Sequence, residues 1–131
     1  MDILAPIDGS DCSFRALRFA ADFARRYEAD LDVVHFTDSR GRDTESLLER
    51  AEELLDEEGV RADPEVVTDV RLGNLKASDQ VGRDILDLVE DRGYDHVVMG
   101  HHGSGMVEEL LLGSAAETVI EPGSVTVTIV P

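Results

Sequence analysis

The stretch HVVMGHHGSGMVEELLLGS, residues 96–114, decides how the rest of the chain is read. HVVMG is a short apolar run bounded by turn residues, the signature of a buried strand. Gly100, Gly103, Gly105 and Gly113 follow within a few residues. Glycines permit positive φ and let backbone approach a ligand closely. Gly113-Ser114 then opens a helix, whose first turn presents unpaired N–H groups and the positive end of a dipole. The stretch therefore reads as a solvated loop, a metal clip on His101 and His102, or a cradle for a phosphate.

Outward from it, strand-like and helix-like periods alternate. Upstream, DILAPI (2–7) is a buried strand, and Asp11 or Ser10 can cap the helix that follows. Phe14, Leu17, Ala21 and Ala24 repeat as one helix face ending near Tyr27. LDVVHF (31–36) is a second strand. Leu47, Leu48, Ala51, Leu54 and Leu55 form a second helical stripe, stopped by Gly59. EVVTDVRL (65–72) alternates like a more exposed third strand. Val81, Ile85, Leu88 and Val89 mark a third helix closed by Gly93. Downstream, a fourth helix spans about 114–120 and SVTVTIV (124–130) is the last strand. Strands alternating with amphipathic helices predict an α/β domain of three layers, a five-stranded parallel sheet with helices on both faces. Ligands in such sheets bind beyond the carboxyl ends of the strands, where strand order reverses. With strand one beside strand four, that point lies between PIDGS and MGHHG.

Composition narrows the function classes. At 131 residues the chain reads as one domain, 1–131, with 42% hydrophobic residues and no long apolar run. MDILAPIDGS lacks the basic and apolar segments of a secretory signal, so a cytoplasmic protein with no membrane partner is expected. Acidic residues number 29 against 12 basic ones, a net charge of −17, and Lys76 is the only lysine. A nucleic-acid backbone needs a basic patch, so nucleic acid is not an expected partner. The acidic, lysine-poor surface fits a halophile, where molar salt shortens screening to about 3 Å. Cys12 is the only cysteine, which rules out an internal disulfide and any cysteine-based zinc site.

The glycine spacing carries the strongest signal. Gly100, two residues, Gly103, nine residues, Gly113, Ser114 matches the G-x2-G-x9-G-[S/T] signature of the universal stress protein family, ATP-binding type. From ILAPIDGS through HVVMGHHG and LLLGSAAETV to VTVTIV, nearly the whole chain resembles that family. The resemblance implies a Rossmann-like, adenine nucleotide alpha hydrolase-like fold with strand order 3-2-1-4-5, and a homodimer. It implies a regulatory protein that binds ATP or AMP. With no basic residue in SGMVEE, charge neutralisation falls to backbone amides, His102 and a divalent ion such as Mg or Mn. Without a phosphoryl-transfer constellation, a binding protein is expected before an enzyme. By position, Asp8 matches the acidic residue at the adenine edge, with Pro6 and Ile7 as its backbone neighbours. Phe36 falls where members line the adenine pocket, and Met99 and Gly100 lie near ribose and phosphates. His102, Gly103, Gly113, Ser114 and Ala115 match the phosphate cradle. The chemistry suits these roles: Asp8 can accept from an exocyclic amine, and backbone N–H groups around Ser114 can form an anion nest. Two departures stand out. SGMVEE lacks the basic residue many members carry after the second glycine, and RLGNLKASDQVGRDIL (71–86) is longer than the usual turn into helix three.

Competing chemistries are weaker. No G-x4-G-K-[S/T] phosphate loop exists, and no cation clamp with a positioned base suggests vigorous phosphoryl transfer. A slow ATPase and a nucleotide-independent homodimeric module remain the alternatives. DGSDCS (8–13) resembles the pyrophosphate loop of ATP pyrophosphatases only faintly, lacking its double glycine. Adjacent His101 and His102 on an extended loop would point to opposite sides, with no third ligand evident. His35 and His96 read as structural, Cys12 as a half-buried structural cysteine before a redox sensor, and Glu108 and Glu109 as solvated charges. The uncharged strand SVTVTIV, left open at an edge, invites pairing with a second copy in a C2 homodimer through 124–130.

Overall fold

The computed structural model describes residues 1–37, 41–68, 77–102 and 112–131. Nine elements are described: β1 (Asp2–Pro6), α1 (Asp11–Tyr27), β2 (Asp30–Thr37), α2 (Arg42–Glu58), β3 (Glu65–Thr68), α3 (Ala77–Arg92), β4 (His96–Gly100), α4 (Ser114–Ile120) and β5 (Thr126–Val130). The strands form one sheet in the order β3-β2-β1-β4-β5. Every neighbouring pair is parallel, with Pro6 opposite Val34 and Leu4 opposite Val97.

Alternation along the strands feeds two cores. Ile3, Ala5, Ile7, Leu31, Val33 and Val98 pack against the apolar stripes of α1 and α2, including Phe14, Leu17, Leu48 and Leu55. Leu4, Val34, Val97 and Met99 point the other way, onto Ile85 and Val89 of α3 and Ala116 and Val119 of α4. A strand buried on both faces must be apolar throughout, which is why DILAP and HVVMG read as continuous runs. On one face α3 and α4 approach so closely that a Cβ on Gly82 would lie 2.6 Å from Thr118 Cβ.

The element boundaries follow local chemistry. Of the two candidate caps for α1, Ser10 is used: its Oγ accepts from the Ser13 N–H at 3.1 Å, while Asp11 sits in the first turn, where negative charge suits the dipole. The helix ends at Tyr27, as its apolar face predicts, on Glu28 in the left-handed region. Gly59 occupies the same conformation after α2. β3 ends at Thr68, and the expected continuation through residue 72 lies outside the described residues. β5 starts at Thr126, two residues later than the pattern suggests; Val125 already packs on the α3/α4 core.

β1 hands the chain to α1 and β2 on one side, while β4, β5 and their connections lie on the other. The strand order thus reverses between β1 and β4, the kind of switch point beyond whose carboxyl ends such sheets bind ligands.

Candidate functional site

At the end of β1, Pro6 and Ile7 are buried. The Ile7 N–H donates to Val34 O at 2.9 Å, carrying the β1–β2 ladder one residue past the strand. Asp8 is exposed. Its Oδ1 accepts from the Ser10 N–H at 2.9 Å and from the Ser10 hydroxyl, while its own N–H donates to Ser13 Oγ at 3.3 Å. One carboxylate oxygen therefore holds the turn into α1. Gly9, at φ +89, completes that turn.

Beside Asp8 a cleft of about 510 Å³ runs between the end of the sheet and the starts of α1 and α2. His35, Thr37, Arg42, Thr44 and Arg50 help to line it. His35 Nδ1 lies 2.7 Å from Ile7 O, and because a carbonyl can only accept, that nitrogen carries the proton. In the neutral ring Nε2 is then an acceptor. Arg50 stacks over the Phe14 ring at 4.0 Å and donates to Asp11 Oδ1 at 3.1 Å. These residues had no sequence motif to mark them; the alternation of β2 is the signal that puts His35 and Thr37 on one face. Phe36, expected in the adenine pocket, packs on the α3/α4 core on the opposite face.

At the end of β4, Met99 is only 6% exposed, its side chain inside the α3/α4 core. Gly100 is a glycine for a packing reason: a Cβ there would lie 2.8 Å from Cys12 Sγ and 3.2 Å from the Cys12 carbonyl carbon. The next residue joins three elements. The His101 N–H donates to Val130 O at 2.9 Å, and His101 O accepts from the Gly113 N–H at 2.6 Å, pinning the start of α4 to the tail of β4. Gly113 is buried and has no side chain to cap α4, and its φ of −61 is open to any residue. Conformation therefore does not demand glycine there. Ser114 and Ala115 are partly buried in the first turn, and Ser114 O accepts from Thr118 Oγ1 at 2.8 Å. Gly103, Gly105, Glu108 and Glu109 lie outside the described residues.

The histidine pair departs from expectation. The chain bends immediately after β4, so the alternation of an extended strand is lost and the two imidazoles meet edge to face, 4.1 Å between centroids. Cys12 also differs: it is 2% exposed rather than half-buried, and its Sγ lies 3.5 Å from His101 Nδ1. A third candidate ligand thus stands beside the pair. His96 does have a structural setting, with Nε2 2.7 Å from Thr128 Oγ1 and its ring edge on Phe23 at 5.5 Å. Burial pushes its pKa down.

Among the described residues no helix is long and apolar enough to cross a membrane. The fold is shared with known proteins. The chain is 31% identical over 136 residues to the Universal stress protein MJ0531 of Methanocaldococcus jannaschii, covering 98% of this chain and 80% of that protein. The structure of a universal stress protein from Archaeoglobus fulgidus superposes with a TM-score of 0.77 at 24% identity, over 100% of this chain and 98% of that one. The same organism's protein in complex with dAMP gives 0.74 at 23% identity, with the same coverage. The family model described as the universal stress protein family matches residues 1–131, and the chain belongs to that family.

Proposed function

We propose that this protein binds an adenine nucleotide, ATP or AMP, in the crevice between the ends of β1 and β4, and that its role is regulatory. The observation that carries the reading is the 2.6 Å bond from the Gly113 N–H to His101 O. It brings the last glycine and Ser114 of the signature against the tail of the strand that carries the first. Gly113, which conformation does not require to be glycine, then makes sense as space for a phosphate approaching the backbone. The relative crystallised with dAMP supports the ligand class.

In this reading Asp8 and the backbone of Pro6 and Ile7 face the base, with His35 and Thr37 as further lining. Met99 and Gly100 contribute backbone near the ribose, and His102, Gly103, Gly113, Ser114 and Ala115 surround the phosphates. Phe36 acts from behind, supporting β2. SGMVEE supplies no cation, so backbone N–H groups, His102 and a divalent ion such as Mg or Mn would offset the phosphate charge.

Denaturing the purified protein and chromatographing the released small molecules tests the proposal. Adenine nucleotide should be released, or added ATP with magnesium should raise the melting temperature, and Gly113→Val should abolish that rise. No release and no shift would leave the rival reading, a dimerisation module without nucleotide. That rival draws on β5, an edge strand free of charged residues, whose pairing with a twofold mate through 124–130 would make a homodimer. Phosphate-release kinetics test slow hydrolysis. We also place the protein in the cytoplasm of a halophile, from its charge of −17; a melting temperature that does not rise between dilute and molar KCl would count against that habitat.

A further inference from the structure

Cys12 stands far in sequence from the adjacent His101 and His102, yet α1 and the tail of β4 bring the three together. One potential ligand atom from each lies within 4.8 Å of the other two. Cys12 Sγ and His101 Nδ1 are 3.5 Å apart. With Zn–S near 2.3 Å and Zn–N near 2.0–2.1 Å, a sulfur and a nitrogen on one tetrahedral ion are separated by roughly 3.6 Å, and two nitrogens by roughly 3.3 Å. The sulfur–nitrogen edge of such a tetrahedron is thus already formed, and the remaining pairs lie within 4.8 Å.

We propose that these three residues bind one zinc-class divalent ion, leaving a fourth position for water or an exogenous ligand. Three observations support it beyond proximity. First, among the described residues no carboxylate belongs to the cluster, although the chain has 29 acidic residues. One thiolate and two imidazoles select zinc over magnesium, calcium or manganese, which prefer oxygen. Second, the thiol is held in place: it is 2% exposed, and the missing side chain of Gly100 is what lets β4 approach it. Third, its proton can leave without orphaning a backbone group. The Cys12 S–H donates to Val130 O at 3.3 Å, and that carbonyl also accepts from the His101 N–H at 2.9 Å. On binding, the S–H bond breaks, the proton passes to solvent, and the sulfur electron pair forms the bond to the ion.

The site would clamp α1 to the tail of β4. Through His101 O it would also act on the start of α4, which the nucleotide reading assigns to phosphate. The zinc assignment stands without that reading, because its test needs no nucleotide. Chelator-stripped, nucleotide-free full-length protein is titrated with Co²⁺ and then Zn²⁺. One equivalent of cobalt should give a thiolate-to-cobalt charge-transfer band in the near ultraviolet and strong tetrahedral d–d bands, and zinc should bleach both. Cys12→Ser should remove the charge-transfer band. His102→Gln should weaken binding a hundredfold or more, and its metal-free melting curve separates the loss of a ligand from any loss of fold. Weak octahedral cobalt spectra, or binding indifferent to both substitutions, would assign the ion to surface carboxylates and overturn the proposal.

Discussion

The two ends of the sheet are built differently. At the amino end, side chains stitch neighbouring elements together. The Asp2 N–H donates to Asp95 Oδ2 and the Asp95 N–H to Asp2 O, both at 2.9 Å. The Tyr94 hydroxyl donates to the Asp32 carboxylate, two Arg92 N–H groups reach Glu65 at 2.9 Å each, and His96 meets Thr128. At the carboxyl end, glycines replace side chains where α1 meets β4, α4 starts without a side-chain cap, and an open cleft flanks Asp8. The difference separates two tasks. Polar side chains satisfied by one another leave nothing for a ligand, whereas bare backbone and half-buried histidines do. Damage to the amino end should change stability alone, and damage to the carboxyl end should change stability and binding together.

The largest test of that separation is Gly100→Ala. Its Cβ would lie 2.8 Å from Cys12 Sγ and 3.2 Å from backbone, so β4 and α1 must part. Overpacking of this kind costs about 1–3 kcal/mol, and the melting temperature should fall by several degrees as the nucleotide-induced shift disappears. Adding Cys12→Ala removes the sulfur contact but not the backbone one, so the double variant should recover part of the stability. A Gly100→Ala protein that melts and binds like the parent would show that the close approach is not rigid.

At the opposite end, Tyr94→Phe should cost about 1 kcal/mol, the usual worth of a hydrogen bond, with nucleotide affinity unchanged. Burial first, and then Asp32, hold the Tyr94 pKa up at about 12. A raised value favours the protonated form in the fold. That contribution is complete below pH 10 and is lost as pH rises toward 12. Denaturant midpoints from pH 9 to 12 should therefore fall less steeply in Tyr94→Phe; equal slopes would remove Tyr94 from the account.

How much of this was legible depends on sequence distance. The sheet could be read because strands buried on both faces must be continuous apolar runs, and the helices because one face repeats. The β1/β4 switch point followed from that order, and the glycine spacing is what drew the nucleotide proposal to it. The reading missed what depends on two distant segments meeting. Gly100 was read as a ligand glycine from its spacing, and its close approach to Cys12 is a packing reason that only the fold reveals. The cysteine and the two histidines looked unrelated because a bend after β4, not a spacing rule, turns the rings together. Phe36 was assigned to a pocket by position, and the contact it makes with the α3/α4 core through strand alternation was not foreseen. Gly82 carries no motif at all, and only the proximity of Thr118 shows why a helix interior tolerates it.

A smaller effect is expected at His96. Burial lowers its pKa, so the folded state favours the neutral ring. Below the ordinary imidazole value near 6.5 the unfolded chain binds the extra proton first, and stability falls as pH drops through that point. Between pH 7 and 5.5, where ordinary carboxylates stay ionised, the denaturant midpoint should decline in the parent and stay flatter in His96→Gln. Nucleotide affinity should be the same in both proteins, since His96 starts β4 at the end away from the crevice.

The smallest effect belongs to Arg92 and Glu65, whose side chains are 40% and 45% exposed. The Arg92 hydrogen bonds hold the Glu65 carboxyl below its usual range, with burial opposing. A lowered carboxyl pKa stabilises above about pH 4.5 and is lost as pH falls below it. Solvent screens so exposed a pair, so Arg92→Gln should cost under about 1 kcal/mol. The deficit should shrink further in molar salt, where screening reaches within about 3 Å. A loss of several kcal/mol would mean that this pair, rather than the cores on either face, holds β3 and α3 in place.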